Sequence, residues 1–314
     1  MNLTSPIFFE PLFMERVWGG RRLEALFGKK LPHGARVGES WEVVDREEAQ
    51  SVVHNGILRG KTLHELWTDY REAVFGAKHA SSGPRFPLLF KLLDAEERLS
   101  VQVHPPAAIA PELNGEPKTE MWYIAWAEAD ADIFAGLTAG ATKEAFQKSL
   151  ATGQVADLLH RIPTETGDCI FIPSGRLHAI GAGNVIVEVQ QNSDTTYRVF
   201  DWNRVGLDGK PRALHIEESV RSTDFDDFEP KLQEKGQSPL VECEYFRIEK
   251  LTIDAPKEVA PLGEFAIVTC LTGEICCGDE KFGPGSFFLI PATMKNRAIE
   301  AQAPGTTVLV TTIP

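Results

Sequence analysis

The chain has 314 residues, 43% of them apolar and 25% charged, enough for one large domain or two small ones with a substantial core. Its formal charge of −13 argues against nucleic acid or an anionic membrane as partner, since both call for a basic surface. The start Met-Asn-Leu-Thr-Ser-Pro does not read as a signal peptide, and no apolar run approaches the roughly 20 residues of a membrane helix. Five cysteines (Cys169, Cys243, Cys270, Cys276, Cys277) are odd in number and form no C-x-x-C pair, which reads as reduced thiols in a cytoplasmic protein.

In chain order, Thr62-Leu-His-Glu65 is a capping box, followed by Leu63, Leu66, Trp67, Tyr70 and Val74 at helical spacing up to Gly76. A strand is expected over 86–93. Next, Leu99-Ser100-Val101-Gln102-Val103-His104-Pro105-Pro106 alternates with period two, which sends Ser100, Gln102 and His104 to one face. Lys118-Thr119-Glu120 repeats the pattern, with its two charges on one face. A helical zone over about 142–159 is broken by Gly153, and strands are expected over 169–172, 185–189 and 287–290. Trp18, Trp41 and Trp122 are read as core, with a pocket mouth as the alternative for Trp18-Gly19-Gly20, and His33, His54, His64, His79, His160 and His215 as solvated or capping.

The segment Gly167-Asp-Cys-Ile-Phe-Ile-Pro-Ser-Gly-Arg-Leu-His178 recurs as Gly285-Ser-Phe-Phe-Leu-Ile-Pro-Ala-Thr-Met-Lys-Asn296. The Gly-to-Pro spacing is the same, and five residues after each Pro stands His178 or Asn296. The reading is two β-units of one ancestry, of which only the first kept its ligand. Between them, 225–240 is a polar, Pro/Gly-bearing connection. The expected domains are 1–230, with a helical insert at about 105–160, and 231–314. Gly-x5-Pro-x4-His on a strand resembles the second metal-binding motif of cupins. The expected fold is mainly β: two cupin-like β-barrels (jelly rolls) with a small helical insert.

Two imidazoles, a carboxylate and an amide oxygen (His104, His178, Glu120, Gln102) make a mixed N/O set suited to zinc. On chemistry alone Gln102 is a weak donor, better suited to orienting His104 than to binding the ion.

Phe90-Lys-Leu-Leu-Asp-Ala95, Leu99-Ser-Val-Gln-Val-His-Pro105, Lys118-Thr-Glu120, Pro173-Ser-Gly-Arg-Leu-His-Ala-Ile180 and Tyr197-Arg-Val-Phe-Asp-Trp202 occur in this order. Together they resemble the type I mannose-6-phosphate isomerases (phosphomannose isomerases) in their short bacterial form. The family commonly has Lys-Pro-Glu where this chain has Lys118-Thr119-Glu120. The resemblance implies one zinc per chain, held by Gln102, His104, Glu120 and His178. It also implies an exchange of mannose 6-phosphate with fructose 6-phosphate, with Lys91 and Ser100 contacting substrate and Arg198 as the catalytic arginine. Asp194 stands four residues before it, and Lys118 stands beside the metal carboxylate.

That chemistry passes through an enediol and needs a base, a group to steady the oxyanion and an anchor for the open-chain sugar. Arg198 cannot be the base but can stabilise negative charge. Lys118 can move a proton if burial and the nearby zinc lower its pKa. Lys118 and Asp194 are favoured over a metal-bound His104. The alternatives are an isomerase of free mannose or fructose, a non-catalytic metal-containing sugar-binding cupin, and a cupin dioxygenase. Lys91 and Ser100 are expected to clamp the phosphate, unless Lys91 faces solvent.

Overall fold

The computed structural model describes residues 3–314. Its strands form four sheets, stacked in two pairs. In the first pair, a six-stranded sheet contains Leu12–Gly20, Val37–Val43, Leu88–Ala95, Asn184–Gln191, Glu120–Ala127 and Cys169–Ile172, in that spatial order. It faces a five-stranded sheet of Tyr197–Phe200, Val101–Val103, His178–Ile180, Asp132–Leu137 and Leu159–Pro163. Trp122, Ile124, Ile170, Ile172 and Ile186 of one sheet pack against Ile133, Ala135, Ile162 and Ile180 of the other. This is the inward half of the period-two pattern on each strand.

The second pair repeats the arrangement with a five-stranded and a four-stranded sheet, filled by Val268, Phe288, Val308, Ile275, Ile299 and their neighbours. The outer face of the six-stranded sheet is apolar too. Phe90, Val187, Met121 and Tyr123 meet Ile248, Ile267, Leu289 and Leu309 of the second unit in one continuous core. The two units therefore bury apolar surface against each other.

The repeat seen in the sequence occupies matched places. Cys169–Ile172 and Phe287–Ile290 are the edge strands of the two inner sheets. Each follows a glycine in the left-handed region, Gly167 at φ 97° and Gly285 at φ 75°, where a side chain would be strained.

Helix is sparse. Thr62 caps Leu63–Asp69 with its capping box formed, but the helix breaks at Tyr70 and restarts as Arg71–Phe75. In 105–160, helix is confined to Lys143–Thr152, which ends at Gly153 in left-handed conformation, and to the short turns Ala110–Leu113 and Val155–Leu158. The rest includes the strands Glu120–Ala127 and Asp132–Leu137, whose aromatic and β-branched residues suit a pleated, buried surface. All five cysteines are free. No helix among the described residues is long and apolar enough to cross a membrane.

Candidate active site

The expected site residues lie on two cross-strand rows that face each other. In the five-stranded sheet, Arg198 pairs with Gln102, Gln102 with His178, and His178 with Ala135. In the six-stranded sheet, Trp41 pairs with Lys91, Lys91 with Glu188, and Glu188 with Trp122. Side chains in such a row lie on one face and touch their neighbours. Glu120 shares the face of Trp122, two residues on, and His104 follows the end of Val101–Val103.

His104, Glu120 and His178 bring their ligand atoms within 4.8 Å of one another, all three residues buried. Both imidazoles are fixed from behind. His104 Nδ1 lies 2.8 Å from the Thr195 carbonyl and His178 Nδ1 lies 2.9 Å from the Arg176 carbonyl. A carbonyl only accepts, so each Nδ1 carries the proton and each Nε2 aims a lone pair into the site. His104 Nε2 stands 3.1 Å from Glu120 Oε1 and, with the ring proton on Nδ1, has no hydrogen-bond partner. A buried imidazole nitrogen without a partner, beside a second imidazole and a carboxylate, fits a divalent cation of borderline softness. Gln102 differs from the rest: its Nε2 sits 3.2 Å from His178 Nε2 and its Oε1 accepts from Ser100 Oγ at 3.4 Å. In this arrangement it orients His178, whereas the sequence pointed to His104.

Charges around this centre are paired. Lys118 Nζ lies 2.9 Å from Glu120 Oε1, and Lys91 Nζ lies 3.2 Å from Glu188 Oε1. Trp122 Nε1 donates to both Glu120 Oε2 (3.1 Å) and Glu188 Oε2 (2.9 Å), tying the two pairs together. Lys91 is only 3% exposed, so it is no solvent-facing strand residue. Glu39 takes hydrogen bonds from Arg16 and Trp41. Burial pushes its carboxyl up, but Lys91 and Arg16 outweigh it and hold the group at about 2.

Burial lowers Lys118, but Glu120 and Glu188 overcome it and hold the ammonium above the ordinary lysine range. In the metal-free protein the two carboxylates that face the amine thus outweigh burial. Glu188 itself is raised, by burial and then by Glu120. Burial lowers both histidines, His178 to about 3 with the help of His104. A histidine whose folded pKa lies below its unfolded value takes up fewer protons than the unfolded chain. The metal-free protein is therefore expected to lose stability as pH falls from about 6.5 toward 3. Thermal denaturation of chelator-treated protein against pH checks this, and a flat profile through that window contradicts it.

The site opens into a cavity of about 530 Å3, within the usual range for small-molecule sites. Lys91, Ser100, Gln102, Lys118, Asp194 and Arg198 all line it. Asp194 is exposed at the rim, and Arg198 Nη1 donates to the Ala213 carbonyl at 3.0 Å while its Nε is buried without a partner. Sequence reading missed Glu39, Glu188 and Arg212, which line the same cavity. Glu39 and Glu188 do sit at alternating strand positions, but nothing local marks them as inward. Among the histidines read as solvated or capping, His215 stands at the N-cap of Ile216–Ser222. His79 departs from that reading: it is buried against Trp67 and Phe265.

A family model described as phosphomannose isomerase type I, catalytic domain, matches residues 7–117. Mannose-6-phosphate isomerase ManA of Bacillus subtilis is 38% identical over 313 residues, which is 96% of this chain and 97% of that protein. The chain belongs to the type I phosphomannose isomerase family. The crystal structure of the mannose 6-phosphate isomerase from Bacillus subtilis aligns over 99% of this chain and 100% of its own, with TM-score 0.86 and 35% identity. A mannose 6-phosphate isomerase solved with zinc and yttrium shares the fold at TM-score 0.74 and 17% identity, covering 99% of this chain and 100% of that one. The jelly-roll architecture expected for a phosphomannose isomerase is the one observed, with each unit a pair of sheets open at the edges and not a closed barrel.

Proposed function

We propose that the chain is a zinc-dependent aldose–ketose isomerase interconverting mannose 6-phosphate and fructose 6-phosphate, with one zinc per chain. The observation that carries this is the convergence of His104 Nε2, His178 Nε2 and the Glu120 carboxylate beside a cavity lined by Lys91, Lys118, Asp194 and Arg198. His104, Glu120 and His178 would hold the ion, with Gln102 as the fourth residue at the centre. When bound, zinc supplies a Lewis acid for the sugar oxygens. A neighbour of the same fold solved with zinc supports the choice of metal. The five free thiols favour the cytoplasm.

The remaining steps fall to the chain's own residues. Lys91 and Ser100 bind the open-chain sugar. Asp194 takes the C2 proton while O1 of the aldose gains one, which gives the enediol. The enediol then gives up its O2 proton, and Asp194 returns a proton to C1. The count of protons is unchanged, as an isomerisation requires. Lys118, with its Nζ 2.9 Å from Glu120 Oε1, stands beside the metal centre and donates at the sugar oxygens. Arg198 faces the developing enediolate charge.

The test is a side-by-side assay of phosphorylated and free mannose, run in D2O. The phosphorylated sugar is expected to turn over far faster, with deuterium appearing at C1 of the product over many turnovers. Equal rates on both sugars favour the free-sugar isomerase. Absence of turnover on either favours a binding cupin. Full retention of protium at C1 over many turnovers rules out proton transfer through an enediol open to solvent.

A further inference from the structure

A carboxylate can offer a metal one oxygen or two, and the number separates kinds of ion. Zinc settles for four ligands in all, whereas larger and harder cations take about six or more and often use both oxygens of a carboxylate. What holds the second oxygen of Glu120 therefore bears on which ion the centre prefers.

The two oxygens of Glu120 have different neighbours. Oε1 lies 3.1 Å from His104 Nε2 and 2.9 Å from Lys118 Nζ, on the side where the imidazoles converge. Oε2 accepts the indole N–H of Trp122 at 3.1 Å. The same N–H reaches Glu188 Oε2 at 2.9 Å. The ring of Trp122 also packs edge-on against His178, with centroids 5.3 Å apart and planes at 79°. One side chain thus touches two of the three converging residues. It offers no atom to a cation itself, because an indole N–H only donates.

Trp122 is held in place from several sides. It is 1% exposed and packs with Ile124, Ile170, Ile172 and Ile186 in the core between the two sheets. Glu188 stands opposite it in the ladder, and Lys91 holds Glu188 at 3.2 Å. A ring wedged in this way keeps its N–H at a fixed point, and the Glu120 carboxylate can turn only by giving up that bond. Oε2 is taken, and Oε1 is the oxygen left for an ion. A leucine or phenylalanine would fill the same core position but would leave two buried carboxylate oxygens without this donor.

We propose that Trp122 is a positioning residue that makes Glu120 a one-oxygen ligand and so tunes the centre to a small four-coordinate ion. The inference deepens the zinc reading and rests on it. It assigns the indole N–H a part in metal choice, in addition to the packing of its ring.

The experiment uses the full-length chain, stripped of metal, and titrates it with Zn2+ and separately with Mn2+ in competition with a chromophoric chelator. Trp122→Phe is compared with wild type. Loss of an outer hydrogen bond to a metal ligand typically weakens binding by a factor of roughly 10–100, and zinc affinity is expected to fall by about that much. Manganese affinity is expected to rise or to fall by less than about threefold, because the freed Oε2 suits an ion that seeks more oxygen ligands. The zinc-to-manganese ratio should then drop by about tenfold or more. A role in core packing alone weakens both ions together and lowers the melting temperature of the metal-free protein. That outcome overturns the proposal, and so does an unchanged zinc affinity. If Trp122→Phe fails to fold, benzothienylalanine at position 122 decides, since it keeps the size of the indole and lacks the N–H. A wild type that takes up neither ion overturns the zinc reading and the proposal with it. A wild type that binds zinc, with a zinc-to-manganese ratio the variant leaves unchanged, overturns only the role of Trp122.

Discussion

Purified protein is expected to carry about one metal ion per chain, and the double change His104→Ala/His178→Ala to carry none and to fall to background turnover. The two imidazoles supply both nitrogen ligands of the only group of three His, Cys, Asp or Glu ligand atoms gathered so tightly among the described residues. Without them, Glu120 is left with Lys118 at 2.9 Å, and a carboxylate already satisfied by an ammonium has little to offer a cation. The second unit is expected to stay empty. At the place matched to His178 stands Asn296, which is exposed, and the next residue, Arg297, is 1% exposed with Nη2 donating to the Glu264 carbonyl at 2.6 Å. A buried guanidinium in that position repels a cation. Elemental analysis beside circular dichroism checks the prediction. Two ions per chain, or an undiminished ratio in the folded double variant, contradicts it.

Much of the candidate metal site was legible because strand periodicity is local. Val101 and Val103 pointing one way oblige Gln102 and His104 to point the other, and the Gly-to-Pro repeat places His178 against Asn296. What the sequence hides is which strands lie side by side. Lys91 and Glu188 are 97 positions apart, and only antiparallel pairing of Leu88–Ala95 with Asn184–Gln191 puts them opposite each other. That pairing changes the meaning of both residues. Lys91 turns from a free phosphate cation into a neutralised one, and Glu188 and Trp122 turn from core-strand residues into supports of the site. The same holds for Lys118: burial alone lowers a lysine, and only the facing carboxylates reverse the sign. Arg212 escaped notice because a Gly-rich hairpin has no periodicity that says what lies beneath it.

Arg198→Ala is expected to keep fold and metal yet lose a factor on the order of 10²–10³ in kcat, the usual effect of removing one pre-organised donor at a developing oxyanion. The residue is joined to the centre through the backbone ladder, opposite Gln102, which in turn is opposite His178. That ladder survives truncation of the side chain, so the ligands stay in place. The cost to folding is small as well: the Arg198 Nη1 bond goes to the carbonyl of Ala213, an exposed residue that water can reach. What disappears is a guanidinium whose Nε has no protein partner and which lines the cavity beside the proposed sugar site. Such a donor is under-used in the resting protein, and it gains most when negative charge develops, which raises kcat more than it tightens binding. Arg198→Lys should recover only part of the loss, since an ammonium lacks the planar fork. Metal content, melting temperature and the split between kcat and KM are the readouts. A near wild-type kcat removes Arg198 from the chemistry, and a parallel loss of metal makes it a structural residue.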